Sequence, residues 1–197
     1  RAFLSGKAYL LVSCGMAIFT FQGSRDIINV LLPAIQSDFG LSYIVLGLVA
    51  ASYDWGHAAL LLLGGYLSDR YGKTRTILVG LAWFVIASAA TGLAPTYWSL
   101  IGLRLATGFA FGAYFVAGNS LLAEAFAPSE RGRAIGLHYA GGSAGRFAIP
   151  LLAGAITISA GWRFAFLPLS LAAVVAAILF FFLKGPSSSP APAAVSV

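Results

Sequence analysis

The amino-acid sequence predicts an all-α integral membrane protein, built as a bundle of six transmembrane helices. Of its 197 residues, 59% are hydrophobic and only 9% are charged, and its mean hydropathy is +0.89. A soluble domain carries about 25% charged residues. This chain therefore has too few charges to cover a surface in water, and its composition is typical of a protein embedded in lipid.

Six segments are each long and apolar enough to cross a bilayer, which takes about 20 residues of helix. In chain order they are Ala8–Leu32, Tyr43–Gly64, Thr76–Leu93, Tyr97–Leu122, Ala134–Ile158 and Phe164–Leu183. Pro33, with the sequence SDFGLS that follows it, is expected to end the first segment. We expect residues 1–184 to form the bundle. Residues 185–197 are rich in Pro, Ser and Ala and predict a disordered tail or linker.

The positions of the Lys and Arg residues predict the orientation of the helices. Eight of them fall at the ends of segments on one side of the predicted bundle: Arg1, Lys7, Arg70, Lys73, Arg75, Arg131, Arg133 and Lys184. The other side has only Arg163. Because cytoplasmic loops are enriched in Lys and Arg, both termini are predicted to be cytoplasmic, in the cytoplasmic (inner) membrane.

Several classes of function are excluded by what the sequence lacks. The single cysteine, Cys14, leaves no internal disulfide and no thiolate metal site. No phosphate-binding glycine loop, metal-ligand cluster or nucleophile triad is present, so we expect no cofactor, no metal and no enzyme activity. The net charge of +6 resides in short loops, which does not indicate nucleic-acid binding.

The stretch GGYLSDRYGKTR, residues 64–75, resembles the signature loop between helices 2 and 3 of the major facilitator superfamily. The matching residues are Gly65, Asp69, Arg70, Gly72 and Lys73. Thr74 departs from the pattern where a second basic residue is usual, and Arg75 follows one place late. Further resemblances are Arg104 with Gly108 and Gly112 in the fourth segment, the sequence PSERGRAIG after it, and GWRFAF before the sixth.

The resemblance implies the fold of one half of such a transporter, a 3+3 inverted repeat, where the family normally has twelve helices. It implies a gating loop made of the matching residues with Arg75. Glu124, at the cytoplasmic end of the fourth segment, is expected to pair with Arg70 or Arg75. It also implies that Asp69 contacts a helix of the other half and stabilises one conformation of the gate. The alternative is that this loop only anchors the topology.

Charged residues inside the predicted spans are expensive in lipid, by about 2.5–3.5 kcal/mol each, and so indicate a functional site. They are Arg25, Arg104 and Arg146 against Asp26 and Asp54, which leaves one positive charge over. An anion could balance it, and the guanidinium fork suits a carboxylate. The three arginines are therefore predicted to bind substrate. The alternative is that Arg146 pairs with an aspartate and only braces the bundle.

Asp54, Asp26 and His57 are the candidate proton-coupling residues, because desolvation and a nearby arginine shift a carboxyl pKa in opposite directions. The alternatives are that Asp26 only forms a structural ion pair and that His57 is a hydrogen-bonded structural residue. The third and sixth segments carry no charge within their apolar stretches and are expected to face lipid. The other four are expected to line a polar cavity or meet a partner.

Two functions follow from these observations. The first is a secondary active transporter, or half of one, that moves a small anionic solute by alternating access and is driven by H⁺. It would work against a second six-helix bundle, which could be a second copy, a companion subunit or a C-terminal half. The second is a non-transporting membrane subunit with the same half fold, packed within a larger complex.

Overall fold

The computed structural model describes residues 6–183, and all their regular structure is helical. The helices are α1 (Gly6–Phe39), α2 (Tyr43–Tyr71), α3 (Lys73–Thr91), α4 (Tyr97–Ala125), α5 (Pro128–Ala160) and α6 (Phe166–Phe181), with a 3₁₀ turn, Trp162–Ala165, before α6. The six predicted helices are confirmed. The predicted tail, 185–197, lies outside the described residues, as do Arg1 and Lys184.

The first helix runs past the predicted Leu32 and Pro33 and ends within the predicted terminating sequence SDFGLS, residues 37–42. Helix α1 continues through Pro33 and ends six residues later at Phe39. The residue that stops it is Gly40, whose φ of 64° is left-handed and lets two backbone amides, those of Gly40 and Leu41, bond to the carbonyl of Gln36. Helix α1 therefore tolerates Pro33 in its interior and ends where Gly40 takes a left-handed backbone conformation.

Five of the described helices are long and apolar enough to cross a membrane; they are α2 to α5 and the stretch Trp162–Phe181 that includes α6. Helix α1 is not among them, because Gln22, Arg25, Asp26 and Asn29 lower its mean hydropathy. Its 34 residues nevertheless pack along α5, which has 33. We therefore treat α1 as a sixth spanning helix whose polar groups are shielded by protein.

The bundle is organised as two closely packed helix pairs, α1 with α5 and α2 with α4. Glycines let the backbones touch. A Cβ added at Gly145 would lie 2.0 Å from the carbonyl oxygen of Phe19, and one added at Gly108 would lie 2.1 Å from that of Tyr53. Only glycine permits this approach in either pair, as in other membrane helices that meet through small residues.

The helix contacts have the symmetry of an inverted repeat. Exchanging the first three helices for the last three converts α1–α5 into α4–α2 and α3–α4 into α6–α1, and all four pairs are in contact. The predicted 3+3 arrangement is thus present in the packing. Two tyrosines fasten the pairs together: Tyr53 of α2 donates to the carbonyl of Phe21 at 2.8 Å, and Tyr114 of α4 donates to that of Cys14 at 2.8 Å.

Helices α3 and α6 lie together beside the two pairs. Beyond Arg75 at its start, α3 exposes only apolar side chains, among them Val79 and Ile86, and α6 exposes Leu171, Val175 and Ile178. These surfaces suit hydrocarbon, which supports the prediction that both helices face lipid.

Candidate solute site and gate

An open groove lies where α1, α2 and α5 meet, about halfway along the bundle. Its volume is about 340 Å³, and its lining residues are Arg25, Asp26, Ile28, Asn29, Gly47, Ala50, Ala51, Asp54 and Arg146. Four of the predicted site residues therefore share one surface. The small residues of α2 leave room beside them.

Two ion pairs cross this groove. Arg25 of α1 contacts Asp54 of α2, with its Nε 2.9 Å from one carboxylate oxygen and its Nη2 3.4 Å from the other. Arg146 of α5 donates from Nε to Asp26 of α1 at 2.6 Å. The four side chains are between 22% and 48% exposed. Two cations and two anions make the groove neutral.

The guanidinium of Arg146 has N–H groups that donate no hydrogen bond within residues 6–183. Only its Nε is bonded, and within the described part of the chain neither terminal Nη group has an acceptor. A second depression of about 290 Å³ lies beside it, lined by Asp26, Ser143, Arg146 and Phe147. The two Nη groups are the forked end of the guanidinium, so an oxyanion in this depression could bind both.

Arg104 is separated from the other two predicted substrate-binding arginines. It is 1% exposed, and its guanidinium donates to the carbonyls of Ser24, at 2.7 Å, and Arg25, at 3.3 Å. It also lies 4.8 Å from the centre of the Tyr53 ring. The expected surplus positive charge is therefore not in the groove, because this arginine points between α4 and α1. Its contacts are those of a structural brace.

His57 does not join the carboxylates either. Its ring stacks on Phe111 of α4 at 4.3 Å between centres, and its Nε2 is buried without a hydrogen-bond partner in the described region. Asp54, one turn earlier on α2, is instead paired with Arg25. The three predicted proton-coupling residues thus divide into two groove carboxylates and one imidazole at the α2–α4 contact.

In the structure, a single residue separates α2 from α3 at the place of the predicted gating loop. Helix α2 ends at Tyr71 and α3 begins at Lys73, so Gly72 alone makes the turn, with φ of 90°. That backbone conformation strains any residue with a side chain. Gly65, two helical turns earlier on α2, faces α4, since a Cβ added there would lie 3.8 Å from the side chain of Val116.

The charges of this loop pair in an unexpected way. Lys73, not Arg70 or Arg75, forms the ion pair with Glu124 of α4. Arg70 instead donates to the hydroxyl of Tyr66 on its own helix. Asp69 and Arg75 are exposed, and neither has an ion pair within residues 6–183. Lys73 forms this ion pair because it begins α3 directly after the turn, where its side chain reaches the end of α4.

A comparison with protein families decides what this bundle is. The model of the Major Facilitator Superfamily matches residues 14–196. The chain belongs to the major facilitator superfamily. Members of this superfamily and the relatives of this chain are transporters and not enzymes, which confirms the predicted family, the helical membrane fold and the absence of enzyme function.

Curated relatives from the superfamily differ in their described roles. The multidrug resistance protein Stp of Mycobacterium tuberculosis is 36% identical over 154 residues, covering 78% of this chain and 29% of that protein. The hexuronate transporter of Bacillus subtilis is 29% identical, covering 80% and 37%. The probable sulfoacetate transporter SauU of Cupriavidus necator is 32% identical, covering 81% and 37%. The chain spans about a third of their length.

Solved structures of the superfamily share the fold. A bacterial homologue of the human lysosomal transporter Spinster, in an inward-facing conformation, superposes with a TM-score of 0.82 at 18% identity, covering 93% of this chain and 44% of that one. The proton:xylose symporter XylE gives the same TM-score at 18% identity, covering 89% and 44%. At this identity the likeness concerns the fold alone.

At the opposite end of this superfamily bundle from Gly72, a polar clamp joins α1 to the turn before α6. Asp38 accepts from Arg163, at 2.5 Å, and from the indole of Trp162, at 3.2 Å. The bond from Arg163 lowers the pKa of Asp38 below its ordinary value. The guanidinium of Arg163 also lies 4.5 Å from the Trp162 ring centre, so two partners hold it in place.

The sequence alone did not single out Asn29 of the groove, nor Ser143 and Phe147 of the depression beside it. Helical spacing could have found them. Ser143 lies three residues before Arg146, and Asn29 lies three residues after Asp26, so each shares a helix face with a predicted charged residue. Phe147 directly follows Arg146 and lies at the edge of that face.

Proposed function

We propose that this chain forms the solute-binding bundle of an H⁺-coupled secondary transporter, which moves a small anionic solute by alternating access. The observation that carries the proposal is the arrangement of Arg146, whose Nε is held by Asp26 while its two Nη groups have no acceptor within the described region. A carboxylate or a similar oxyanion matches that fork in shape and charge.

Charge balance links the anion to a proton. The groove is neutral when Asp26 and Asp54 are both ionised. If a proton neutralises Asp26, Arg146 loses its counter-charge and favours an anion in its place. Return of the anion to solution favours loss of the proton. One proton and one anion would therefore bind together, because either alone leaves an uncompensated charge in a low-dielectric site.

The described roles of relatives give further support. Among those with at least 27% identity are proteins named for transport of hexuronate, sulfoacetate and cis,cis-muconate, the last from Acinetobacter baylyi. All three solutes are anions. The multidrug resistance protein Stp shows that the same fold also accommodates other roles, so the groove and not the family name carries the proposal.

A second six-helix bundle would complete the transporter. Only 17% of the apolar stretch of α5 is buried within this bundle, against 56% of that of α4. The exposed face of α5 carries Ser143 and Arg146, which are poorly suited to lipid. A polar partner surface would cover them and let the two bundles rock about the groove. Both termini of this chain would lie in the cytoplasm, in the cytoplasmic membrane, with the gate at Gly72 on that side.

One observation favours the alternative, a non-transporting subunit of a larger membrane complex. Every charged group in the groove already has a partner, as expected of charges that only brace the bundle. A brace would need both ion pairs intact but would show no dependence on solute or on a pH gradient.

Transport by the complete protein, this chain with its second bundle, tests the proposal. We would reconstitute it in liposomes and measure uptake of radiolabelled glucuronate, cis,cis-muconate and sulfoacetate with and without an inward H⁺ gradient. At least one should accumulate only with the gradient. Arg146→Lys keeps the charge and removes the fork, so the KM for that solute should rise about tenfold or more, the value of one lost charge-assisted hydrogen bond.

Arg133→Lys is the matched control, since Arg133 is exposed and lies outside the groove. It should leave KM unchanged. Normal KM in Arg146→Lys would refute recognition by the fork. Absence of uptake for all three solutes, with no proton movement, would support the non-transporting alternative.

A further inference from the structure

His138 is a buried polar group that the groove does not use. It is 1% exposed and lies on α5, two helical turns from Arg146 toward the end that carries Gly72. The backbone of Cys14 is a weak hydrogen-bonding partner of its ring, and no hydrogen bond of ordinary geometry to either ring nitrogen is present within residues 6–183. A buried imidazole without a partner is unfavourable, particularly within a membrane, and calls for a physical explanation.

A second unsatisfied group lies between His138 and the groove. Oε1 of Gln22 is buried without a hydrogen-bond partner, and Gln22 is one helical turn from Asp26 on α1. A Cβ added at Gly142 would lie 3.2 Å from Cγ of Gln22, and His138 is one turn below Gly142 on α5. Asp26, Gln22 and His138 therefore follow one another along the α1–α5 contact over about 18 Å, because Cys14, which lies beside His138, is twelve residues before Asp26 at about 1.5 Å per residue.

Beyond His138 the polar groups continue to the surface. Tyr139 follows it in sequence, with its ring centre 5.3 Å from that of His138, and is 37% exposed. Asn119 of α4 donates to the Tyr139 hydroxyl at 3.4 Å. The groups that face His138 are thus Cys14 from α1, Tyr114 from α4 and its neighbour Tyr139, and none of these carries a charge.

We propose that His138 is the second proton-binding residue of the transporter, which receives through Gln22 the proton that Asp26 releases. The proposal rests on the proposed H⁺ coupling and gives that coupling a route. The Asp26 carboxyl loses a proton and becomes a carboxylate. Water that enters the α1–α5 contact and donates to Oε1 of Gln22 carries the proton, because this oxygen is closed to solvent in the conformation described. The neutral His138 ring gains it as imidazolium and passes it on past Tyr139.

The test is the titration of His138 in the complete transporter, which requires no solute. We would label histidine side chains with ¹⁵N, reconstitute the protein in lipid nanodiscs and record spectra from pH 3 to pH 9. The signal that disappears in His138→Gln identifies the residue. We expect His138 to titrate within this range, since its role requires both protonation states.

Asp26→Asn supplies the test of coupling. It removes a negative charge about 18 Å away, so the titration midpoint of His138 should fall by about 0.7 pH unit at an effective dielectric constant of about 20. Asp38→Asn is the matched control, because Asp38 lies a further twelve residues along α1, and it should leave the midpoint unchanged.

Three outcomes would overturn the proposal. They are a His138 signal that does not titrate, a midpoint that Asp26→Asn does not move, and equal shifts in Asp26→Asn and Asp38→Asn. Proton uptake supplies an independent readout: in liposomes containing a pH-sensitive dye, the proton uptake that accompanies glucuronate, cis,cis-muconate or sulfoacetate should fall at least tenfold in His138→Gln and stay normal in Arg133→Lys. If none of these solutes is transported, the proposed function fails, and the titration still decides the role of His138.

Discussion

Gly145 is where α1 and α5 come closest, and it allows a quantitative test of the packing. Replacement by alanine would place a Cβ 2.0 Å from the carbonyl oxygen of Phe19. An ordinary contact is about 3.4 Å, so the helices would have to separate by roughly 1.4 Å, the difference between these distances. The obstacle is backbone, which no rotamer change can move away. Forced overpacking of this kind destabilises a protein by about 1–3 kcal/mol.

Thermal unfolding of the complete transporter in detergent, followed by tryptophan fluorescence, measures this effect. At about 2.1 cal/mol/K per residue, two bundles of about 200 residues each unfold with an entropy of about 0.8 kcal/mol/K, so a loss of 1–3 kcal/mol in Gly145→Ala should lower Tm by about 1–4 °C. Gly154→Ala is the control on the same helix, because nothing lies within 4 Å of its added Cβ. Both changes gain the same helix propensity, so their difference isolates the contact. Equal Tm values in the two variants would refute the close approach.

Three further predictions concern charged residues. Arg163 lowers the pKa of Asp38, so the carboxylate stabilises the fold above its ordinary pKa, and this stabilisation is lost as pH falls through the lowered value. Asp38→Asn should remove that acid-dependent part of the plot of Tm against pH, and an unchanged plot would argue against the clamp. Lys73→Glu should break the ion pair with Glu124 and increase labelling of the gate by a membrane-impermeant reagent. Adding Glu124→Lys should return the labelling to its original level, and failure to do so would mean that the pair is not formed. Arg104→Lys should lower Tm and leave the KM for the transported anion unchanged; a raised KM would instead make Arg104 a substrate ligand.

Residue patterns along one helix were predictable, whereas the rotation of each helix was not. The apolar segments predicted six helices, and the position of Arg146 along its segment predicted its depth. Depth did not reveal that Arg104 points between α4 and α1, because that depends on the side of α4 that meets α1. For this reason the surplus positive charge that was counted among the intramembrane residues lies outside the groove.

Pairing at the gate was hidden for a related reason. Glu124 was correctly expected to meet a basic residue, but three basic residues lie within six positions of one another. Choosing Lys73 requires knowing that Gly72 makes the whole turn, which places the first residue of α3 next to the end of α4. Likewise, of the two end signals predicted for the first helix, Pro33 lies inside α1 and Gly40, within SDFGLS, ends it.

The division of the bundle into two helix pairs gives its two salt bridges different mechanical properties. Arg146–Asp26 joins α5 to α1 and so lies inside one pair, where the glycine contacts hold its ends at a fixed separation. Arg25–Asp54 joins α1 to α2 and so spans the boundary between pairs. A slight spreading of the pairs would stretch the second bridge first and leave the first unchanged. The length of the Arg25–Asp54 ion pair would then report the separation of the two helix pairs, while the length of Arg146–Asp26 would stay constant.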